Sequence, residues 1–204
     1  MSAPAAPSAL HLPGVEQDLK PGTYRALIEG ARARGDEYSK IWDLFAFQHD
    51  VTINLGRFTQ GVLRAPSTIS PGLRELIAAY TSSLNECRFC TEAHAQAAGE
   101  LLGDHGLVRQ VLRDPDGSAL EPRDKVLLRF VRQVTLDLPS VGRADVQRLQ
   151  DAGWDDEALY FAITTCALFN FYNRWITATG VPEMSAEAHR RQGRSFAERG
   201  YVRD

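Results

Sequence analysis

The 204-residue chain lacks the features that mark several common protein classes. Its first twenty residues have neither the positively charged start nor the continuous apolar core of a secretory signal. Its longest apolar runs are interrupted well before the roughly 20 residues that a membrane span needs. No basic stretch is interleaved with aromatic residues, and the formal net charge is -3, so nothing favours nucleic acid as a partner. We therefore expect a soluble, cytoplasmic protein that binds neither membrane nor nucleic acid.

Cysteine is scarce, and alternating strand patterns are absent. The 3 cysteines are too few for a structural disulfide framework, so a close pair of them is more plausibly redox-active or metal-binding. Helical periodicity recurs along the chain, and 44% hydrophobic residues in this length suffice for one core. We predict an all-α fold with a single helical domain over residues 21–204, preceded by a flexible arm over residues 1–20.

Apolar spacing and capping signals predict the individual helices. In the longest region the glycines at positions 56 and 61 are expected to bend or break the helix, and Ser70-Pro71 supplies a helix start. The last helix has many charges and few large apolar residues, so it is expected to lie on the surface or to contact a neighbouring subunit. Asp155 or Asp156 is expected to cap the most apolar helix, which ends at Gly180. The predicted helices span residues 24–33, 36–63, 73–84, 87–102, 107–112, 122–136, 143–150, 158–180 and 185–199.

The most reactive segment is residues 87–94, Cys-Arg-Phe-Cys-Thr-Glu-Ala-His. Two thiols and an imidazole share one helical surface there, because the second cysteine and the histidine are four residues apart. A turn at Asn85 would fold this helix antiparallel to the preceding one. His94 lies nine positions after Asn85 and Glu75 lies ten before it, so the two side chains are expected to meet at the same height.

This arrangement allows three interpretations. In the first, a proton passes from the Cys90 thiol to His94, which Glu75 orients, and Cys87 is the second sulfur of a redox pair. In the second, the same four residues form a tetrahedral zinc site. In the third, the cysteines are a buried structural pair beside a satisfied histidine. Cys166, which lies in an apolar helix without an acid or histidine at helical spacing, is expected to pack in the core.

The spacing of these residues resembles the active-site signature of the alkylhydroperoxidase D family, within the all-helical carboxymuconolactone decarboxylase-like superfamily. The shared pattern is Glu75, then Cys87 twelve positions later, Cys90, and His94 four positions after that. The resemblance implies Cys90 as the thiol that attacks peroxide, Cys87 as the resolving thiol, and Glu75 with His94 as a proton relay. Phe89 stands where the founding members carry histidine.

The resemblance also implies a function and partners. It predicts a single-domain helical bundle whose active site lies on an antiparallel helix pair and which reduces organic hydroperoxides through the Cys-x-x-Cys disulfide. No cofactor and no bound metal are predicted. An external dithiol of the lipoyl or thioredoxin-like type would recycle the disulfide, and relatives are typically homo-oligomers. A non-enzymatic redox sensor and a lactone-acid decarboxylase remain alternatives, although the decarboxylase branch typically lacks the paired cysteines.

Aromatic residues could wall an apolar channel to Cys90, which would favour organic hydroperoxides over hydrogen peroxide. Asn170, Asn173 and Arg174 share one helical face, where they could line the pocket or satisfy a neighbouring helix. The candidate aromatic residues are Trp42, Phe45, Phe47, Phe169, Phe171, Tyr172 and Trp175.

Overall fold

The computed structural model describes residues 8–202, and within that range it contains eleven α-helices, one short 3-10 turn at Leu138–Ser140 and no β-strand. The all-α prediction is therefore confirmed. No helix in this range is long and apolar enough to cross a bilayer. The helices are α1 (Pro13–Gln17), α2 (Thr23–Arg34), α3 (Ile41–Phe47), α4 (His49–Arg64), α5 (Pro71–Leu84), α6 (Arg88–Leu102), α7 (His105–Arg113), α8 (Pro122–Leu136), α9 (Arg143–Asp151), α10 (Asp156–Thr179) and α11 (Ala186–Arg199).

The long region predicted over residues 36–63 is divided, but not at its glycines. The break falls at Gln48, whose φ of -126° and ψ of 57° lie outside the helical region. The hydroxyl of Thr52 donates to the backbone oxygen of Phe45, 2.7 Å away, and so satisfies a carbonyl at the end of α3. Gly56 and Gly61 lie inside α4 and interrupt nothing. The prediction that these glycines bend or break the helix was wrong, because an interior glycine costs only about 1 kcal/mol.

The start of the chain differs from the predicted arm. Leu10 and Val15 are each 3% exposed and pack with Leu44 of α3. The backbone N–H of His11 donates to the carbonyl of Thr179 at the end of α10, over 2.9 Å. Residues 8–20 are thus held in place by the buried side chains of Leu10 and Val15 and by one backbone hydrogen bond. The Ala/Pro-rich sequence at the start of the chain gave no indication of this packing. Residues 1–7 of the predicted arm lie outside the described residues.

Helix α5 is the central element of the fold, and residues 72–82 are buried without interruption. Its start was predicted correctly: Ser70 Oγ accepts from the backbone N–H of Leu73 over 3.2 Å, and Pro71 occupies the first turn. A two-residue turn at Asn85 and Glu86 then leads into α6. Glu86 has a positive φ of 56°, which reverses the chain sharply. Helices α5 and α6 consequently pack as an antiparallel pair.

Helix α11 lies at the surface with its charged face exposed, and its other face packs closely on α6. Its Gly193 approaches α6 so closely that a Cβ atom there would lie 2.3 Å from Cβ of Gln96 and 2.9 Å from the backbone nitrogen of Ala97. Ala188 and His189 are buried on the same helix. Small residues such as Ala188 and Gly193 allow this close packing, which the scarcity of large apolar side chains in α11 did not indicate.

A pair of glycine substitutions tests this close contact. Gly193→Ala should lower the free energy of unfolding by about 1–3 kcal/mol, because the added methyl group overlaps α6. Gly61→Ala is the matched control: it is exposed in α4 with no atom within 4 Å of the added Cβ, so helix propensity alone should stabilise it by up to about 1 kcal/mol. Urea unfolding measures both. Equal stabilisation of the two variants would show that α11 does not pack at Gly193.

Candidate active site

Glu75 of α5 is the buried centre of the site, and its residue is 0% exposed. Its Oε2 accepts from Nδ1 of His94 over 2.7 Å. Its Oε1 accepts from the guanidinium of Arg64 over 2.5 Å and from the hydroxyl of Tyr201 over 2.6 Å. A buried carboxylate is costly unless it is paired and hydrogen-bonded, and here three donors from three different segments converge on it.

These contacts fix the protonation of the group. Burial by itself would raise the pKa of Glu75, but the hydrogen bond and charge of His94 and the charge of Arg64 outweigh it and hold the pKa below its ordinary value. The carboxylate has no proton to donate, so Nδ1 of His94 is the donor in this hydrogen bond, and Nε2 takes no part in it. Burial, followed by the nearby charge of Glu75, raises the pKa of Tyr201 well above its ordinary value, so its hydroxyl remains a donor.

Three aromatic rings contact the His94 imidazole. Phe169 of α10 meets it edge-on, with ring centroids 4.4 Å apart. Phe196 and Tyr201 stack against it at 5.7 Å and 6.1 Å. Both the orientation of the ring and its tautomer are therefore set before any substrate binds.

The C-terminal segment is attached to the site by α4. Arg64 donates to the backbone oxygen of Phe196 over 2.9 Å, and its guanidinium lies 5.1 Å from the centre of the Tyr201 ring. The side-chain oxygen of Gln60 accepts from the backbone N–H of Tyr201 over 2.7 Å. Gly200 makes the bend between α11 and Tyr201 with a φ of 67°, in the region where glycine is favoured.

Buried Arg74 secures the end of α4 that carries Arg64. Its guanidinium donates to the backbone oxygens of Val62 and Ala65, over 2.9 Å and 2.7 Å. These carbonyls are left free where α4 ends, so Arg74 acts as a side-chain cap for that helix. The neighbouring residues Arg74 and Glu75 thus have different roles. Arg74 caps the end of α4, and Glu75 accepts a hydrogen bond from Arg64 of the same helix.

The two cysteines stand at the start of α6, 4% and 2% exposed, as free thiols. The Cys90 thiol stabilises the Cys87 thiolate by hydrogen bonding and lowers the pKa of Cys87 to about 7, against an opposing effect of burial. The same interaction, together with burial, raises the pKa of Cys90, which retains the shared proton. Contributions from Thr177 and Asn173 of α10 also lower the pKa of Cys87. The pair therefore holds one easily lost proton.

The turn before Cys87 is braced by asparagines of α10. Asn85 donates through its amide to the side-chain oxygens of Asn170 and Asn173, over 3.1 Å and 3.0 Å. Asn173 in turn donates to the hydroxyl of Ser82 over 2.9 Å. Two of the three polar residues that interrupt the apolar run of α10 therefore satisfy the neighbouring helix turn.

A cavity of about 80 Å³ lies beside Cys90 and His94, which both line it, whereas Cys87 does not. The remaining wall is mostly aromatic and aliphatic. Of the aromatic residues predicted to wall a channel, Phe47, Phe171 and Trp175 do not line this cavity. Those that do are Trp42, Phe45, Phe169 and Tyr172.

Two expected contacts are missing within residues 8–202. No hydrogen bond joins Cys90 directly to His94, although both face the cavity. No three histidine, cysteine, aspartate or glutamate side chains of the described chain are placed to hold a metal ion. The four residues of the zinc interpretation are thus not arranged as a metal centre, since Glu75 is already enclosed by three donors.

The third cysteine, Cys166, is 0% exposed and lies in the core as predicted, with its sulfur 3.3 Å from the hydroxyl of Thr135.

Comparison with known proteins bears directly on this geometry. Residues 50–102 match the model of the carboxymuconolactone decarboxylase family, and this stretch contains all four predicted site residues. This matched stretch is similar in sequence to that family and spans about a quarter of the chain. No curated protein matches it.

Two solved structures resemble the chain over most of its length. One is a peroxidase-related protein from Silicibacter sp. TM1040, 26% identical, with a TM-score of 0.73 over 93% of this chain and 97% of that one. The other is a peroxidase-related protein from Ralstonia eutropha JMP134 described as an alkylhydroperoxidase AhpD core, 20% identical, with a TM-score of 0.75 over 91% and 98% of the two chains. The second likeness concerns the fold, which is that of the alkylhydroperoxidase D core.

The departure at Phe89 is also visible in the structure. The Phe89 side chain lines the cavity and meets the ring of His189 edge-on, with centroids 5.7 Å apart. His189 is 3% exposed, and neither of its ring nitrogens has a hydrogen-bond partner among the described residues. Its Nε2 lies 3.5 Å from a carboxylate oxygen of Glu183. At this position the cavity is thus lined by an apolar ring, which contacts the buried imidazole of His189.

Sequence reasoning missed Arg64 and Tyr201 of the Glu75 network. They lie eleven residues before and 126 residues after Glu75. No local spacing relates either residue to the motif. The one available signal was the isolated aromatic residue just after the glycine that ends the last helix, at Gly200-Tyr201.

The contribution of Tyr201 can be measured through stability. Glu75, with its pKa lowered on folding, stabilises the protein above the ordinary carboxyl pKa of about 4.3, and this contribution is lost as pH falls through the folded pKa. Tyr201→Phe removes one donor and should cost about 1–3 kcal/mol at pH 7, and less in acid. Urea unfolding at pH 7 and at successively lower pH below the ordinary carboxyl pKa of about 4.3 measures the difference. Tyr160→Phe, with a 63% exposed ring, is the control and should have no effect; a cost independent of pH would contradict the assigned hydrogen bond.

The thiol pair makes a separate prediction about pH. The rate of alkylation by iodoacetamide should rise with pH around a midpoint of about 7, because Cys87 ionises there. Cys90→Ala removes the stabilising thiol and should move the midpoint upward, whereas Cys166→Ala should leave it in place. A midpoint near 8.5 in the unaltered protein would mean that the two sulfurs do not share a proton.

Proposed function

We propose that the protein is a thiol-dependent peroxidase that reduces organic hydroperoxides through a Cys87–Cys90 disulfide. The observation that carries the proposal is the shared cavity: Cys90 and His94 line one small, largely apolar space. His94 is held there by the ionised carboxylate of Glu75 through Nδ1, which leaves Nε2 outside that hydrogen bond. The likeness to peroxidase-related proteins agrees with this chemistry.

The first step is attack of Cys90 on the peroxide. His94 accepts the proton of the Cys90 thiol at Nε2, the thiolate attacks the terminal peroxide oxygen, and the O–O bond breaks. His94 returns the proton to the leaving alkoxide, so one thiol and one hydroperoxide give one sulfenic acid and one alcohol. Because both residues face the cavity, a bound hydroperoxide can bridge them where no direct hydrogen bond exists.

The second step uses Cys87. Its thiolate attacks the sulfur of the Cys90 sulfenic acid, forming the disulfide, and the departing hydroxide takes up a proton to give water. The lowered pKa of Cys87 suits this role, since a resolving thiol must be ionised to attack. Glu75, Arg64 and Tyr201 remain unchanged throughout and keep His94 in one tautomer.

Turnover then needs two electrons and two protons from outside the chain. An external dithiol of lipoyl or thioredoxin-like type supplies them by thiol–disulfide exchange. The proposal includes a cytoplasmic location, where such donors keep thiols reduced. It also includes a homo-oligomer, supported by exposed apolar side chains on the outer faces of α4 and α10: Val51, Phe58, Tyr160 and Phe171.

A thiol count by intact mass tests the proposal. One equivalent of cumene hydroperoxide should remove two hydrogen atoms from the reduced protein, with the disulfide mapped to Cys87 and Cys90. Cys90→Ser should abolish the reaction, and Cys87→Ser should stop at a sulfenic acid that dimedone traps on Cys90. Cys166→Ala is the control and should react fully. Oxidation of Cys87 in the Cys90→Ser variant at the unaltered rate would reverse the two roles.

The same experiment separates the alternatives. Oxidation that occurs once and is not recycled by any dithiol would favour a redox sensor. Acid–base activity on a lactone-like acid that survives replacement of both cysteines would favour a decarboxylase, in which Glu75 and His94 act without the thiols. The independence of the Glu75 network from the sulfurs, with no hydrogen bond between His94 and Cys90 in the described chain, is the observation that keeps the second alternative worth testing.

A further inference from the structure

A second depression adjoins the catalytic cavity. It is a groove of about 330 Å³ between α2 and α11. Trp42, Gln192 and Phe196 line both the groove and the cavity that contains Cys90. The two spaces therefore share one wall, and a ligand in the groove lies next to the reactive thiol.

The groove carries an excess of positive charge. Arg34, Arg191 and Arg199 line it, against a single carboxylate from Glu37. Both oxygens of that carboxylate are occupied by Ser185, through its backbone N–H at 2.8 Å and its hydroxyl at 2.5 Å. Hydrogen bonds from Ser185 lower the pKa of Glu37, so it does not become a donor for an anion at neutral pH.

The three arginines differ in the hydrogen-bond and ion-pair partners that they already have. Arg34 pairs with Asp36 over 2.7 Å, and Arg191 donates to the backbone oxygen of Glu37 over 2.8 Å. The guanidinium of Arg199 is exposed and makes no hydrogen bond or ion pair with any residue between positions 8 and 202. A guanidinium can bind a carboxylate through two parallel hydrogen bonds, and within that range no residue occupies the donors of Arg199.

The shared wall contains an unsatisfied polar atom. The side-chain oxygen Oε1 of Gln192 is buried and has no hydrogen-bond partner in the described chain. A buried acceptor without a donor is unfavourable, and a ligand that supplies an O–H group would relieve it. A hydroperoxide and the alcohol formed from it both carry such a group.

From these observations we propose that the substrate is the hydroperoxide of an apolar carboxylic acid, such as a fatty acid. Its carboxylate binds in the groove at Arg199, its hydrocarbon part lies against the aromatic wall, and its O–H group donates to Gln192 beside Cys90. Gln192 and Arg199 are seven residues apart on α11, about 10 Å along the helix axis, so several methylene groups separate the two ends of the ligand. The redox part rests on the proposed peroxidase function, whereas carboxylate binding does not.

The experiment compares an acid with its ester. Reduced protein is oxidised in single turnovers by linoleic acid hydroperoxide, by its methyl ester and by cumene hydroperoxide, all below their micelle-forming concentrations. We expect half-saturation at a roughly tenfold lower concentration for the acid than for the ester, from one charge-assisted hydrogen-bonded pair. Arg199→Gln should abolish that preference and leave the ester and cumene hydroperoxide unaffected.

Arg190→Gln is the matched control, because Arg190 is an exposed arginine of the same helix that does not line the groove. It should keep the acid preference. An equal loss in both arginine variants would mean that net charge, not the groove, attracts the acid. Equal half-saturation by acid and ester in the unaltered protein would overturn the carboxylate site while leaving peroxidase activity on cumene hydroperoxide intact.

A binding measurement keeps the two proposals separate. Laurate, which carries no peroxide, should bind to the reduced protein in a calorimetric titration, and dodecanol should bind more weakly. Arg199→Gln should remove that difference. If no hydroperoxide oxidises the protein, this titration still tests whether a carboxylate binds at Arg199 in the groove. Weaker laurate binding by the Arg199→Gln variant supports the site, and unchanged binding refutes it.

Discussion

The fold around the site depends on keeping one negative charge in the protein interior. Glu75 lies on the most buried helix, where an unpaired carboxylate would cost more than the protein's net stability could readily supply. Its charge is balanced by Arg64 of α4, and its remaining lone pairs accept from His94 of α6 and from Tyr201 beyond α11. Three elements distant in sequence are thereby required at one point. The imidazole receives its orientation and its tautomer as a consequence of that compensation.

Short side chains make this convergence possible. The Glu75–His94 bond needs α5 and α6 at close range, and Gly72 provides it where Leu102 would meet any added Cβ at 2.8 Å. The contact of Phe196 and Tyr201 with the imidazole needs α11 equally close to α6, and Gly193 provides that. Backbone contacts of this kind leave little freedom for sliding, because packed helices are not continuously deformable. The two glycines therefore determine the positions of Glu75 and His94, although they do not contact these side chains.

Local signals account for what the sequence could predict. The caps of α5 and α10, and the counting of residues around Asn85, depend on interactions within a few turns of helix, and the structure contains them. The contributions of Arg64, Tyr201 and α11 depend on contacts between segments that are far apart in the chain. Such contacts leave no pattern of residue spacing in a single sequence, so they could not be predicted from it. The charges on α11 predicted a surface helix, and its buried residues, Ala188, His189 and Gly193, carry a weak hydrophobic signal for its close packing on α6.

The two sulfurs illustrate how one motif can separate access from ionisation. Cys90 reaches the cavity but keeps the shared proton, whereas Cys87 ionises near neutral pH but does not line the cavity. In the proposed cycle, access to the cavity suits Cys90 as the attacking thiol, and ionisation near neutral pH suits Cys87 as the resolving thiol. The sulfur that meets peroxide has its base, His94, beside the substrate, so deprotonation can be coupled to attack. Cys87, which ionises with the help of the Cys90 thiol, does not line the cavity and is therefore protected from over-oxidation, and its pKa near the ambient pH is the optimum for attacking another sulfur. Exchanging the two environments would expose a ready thiolate to peroxide and leave no ionised thiol to close the disulfide.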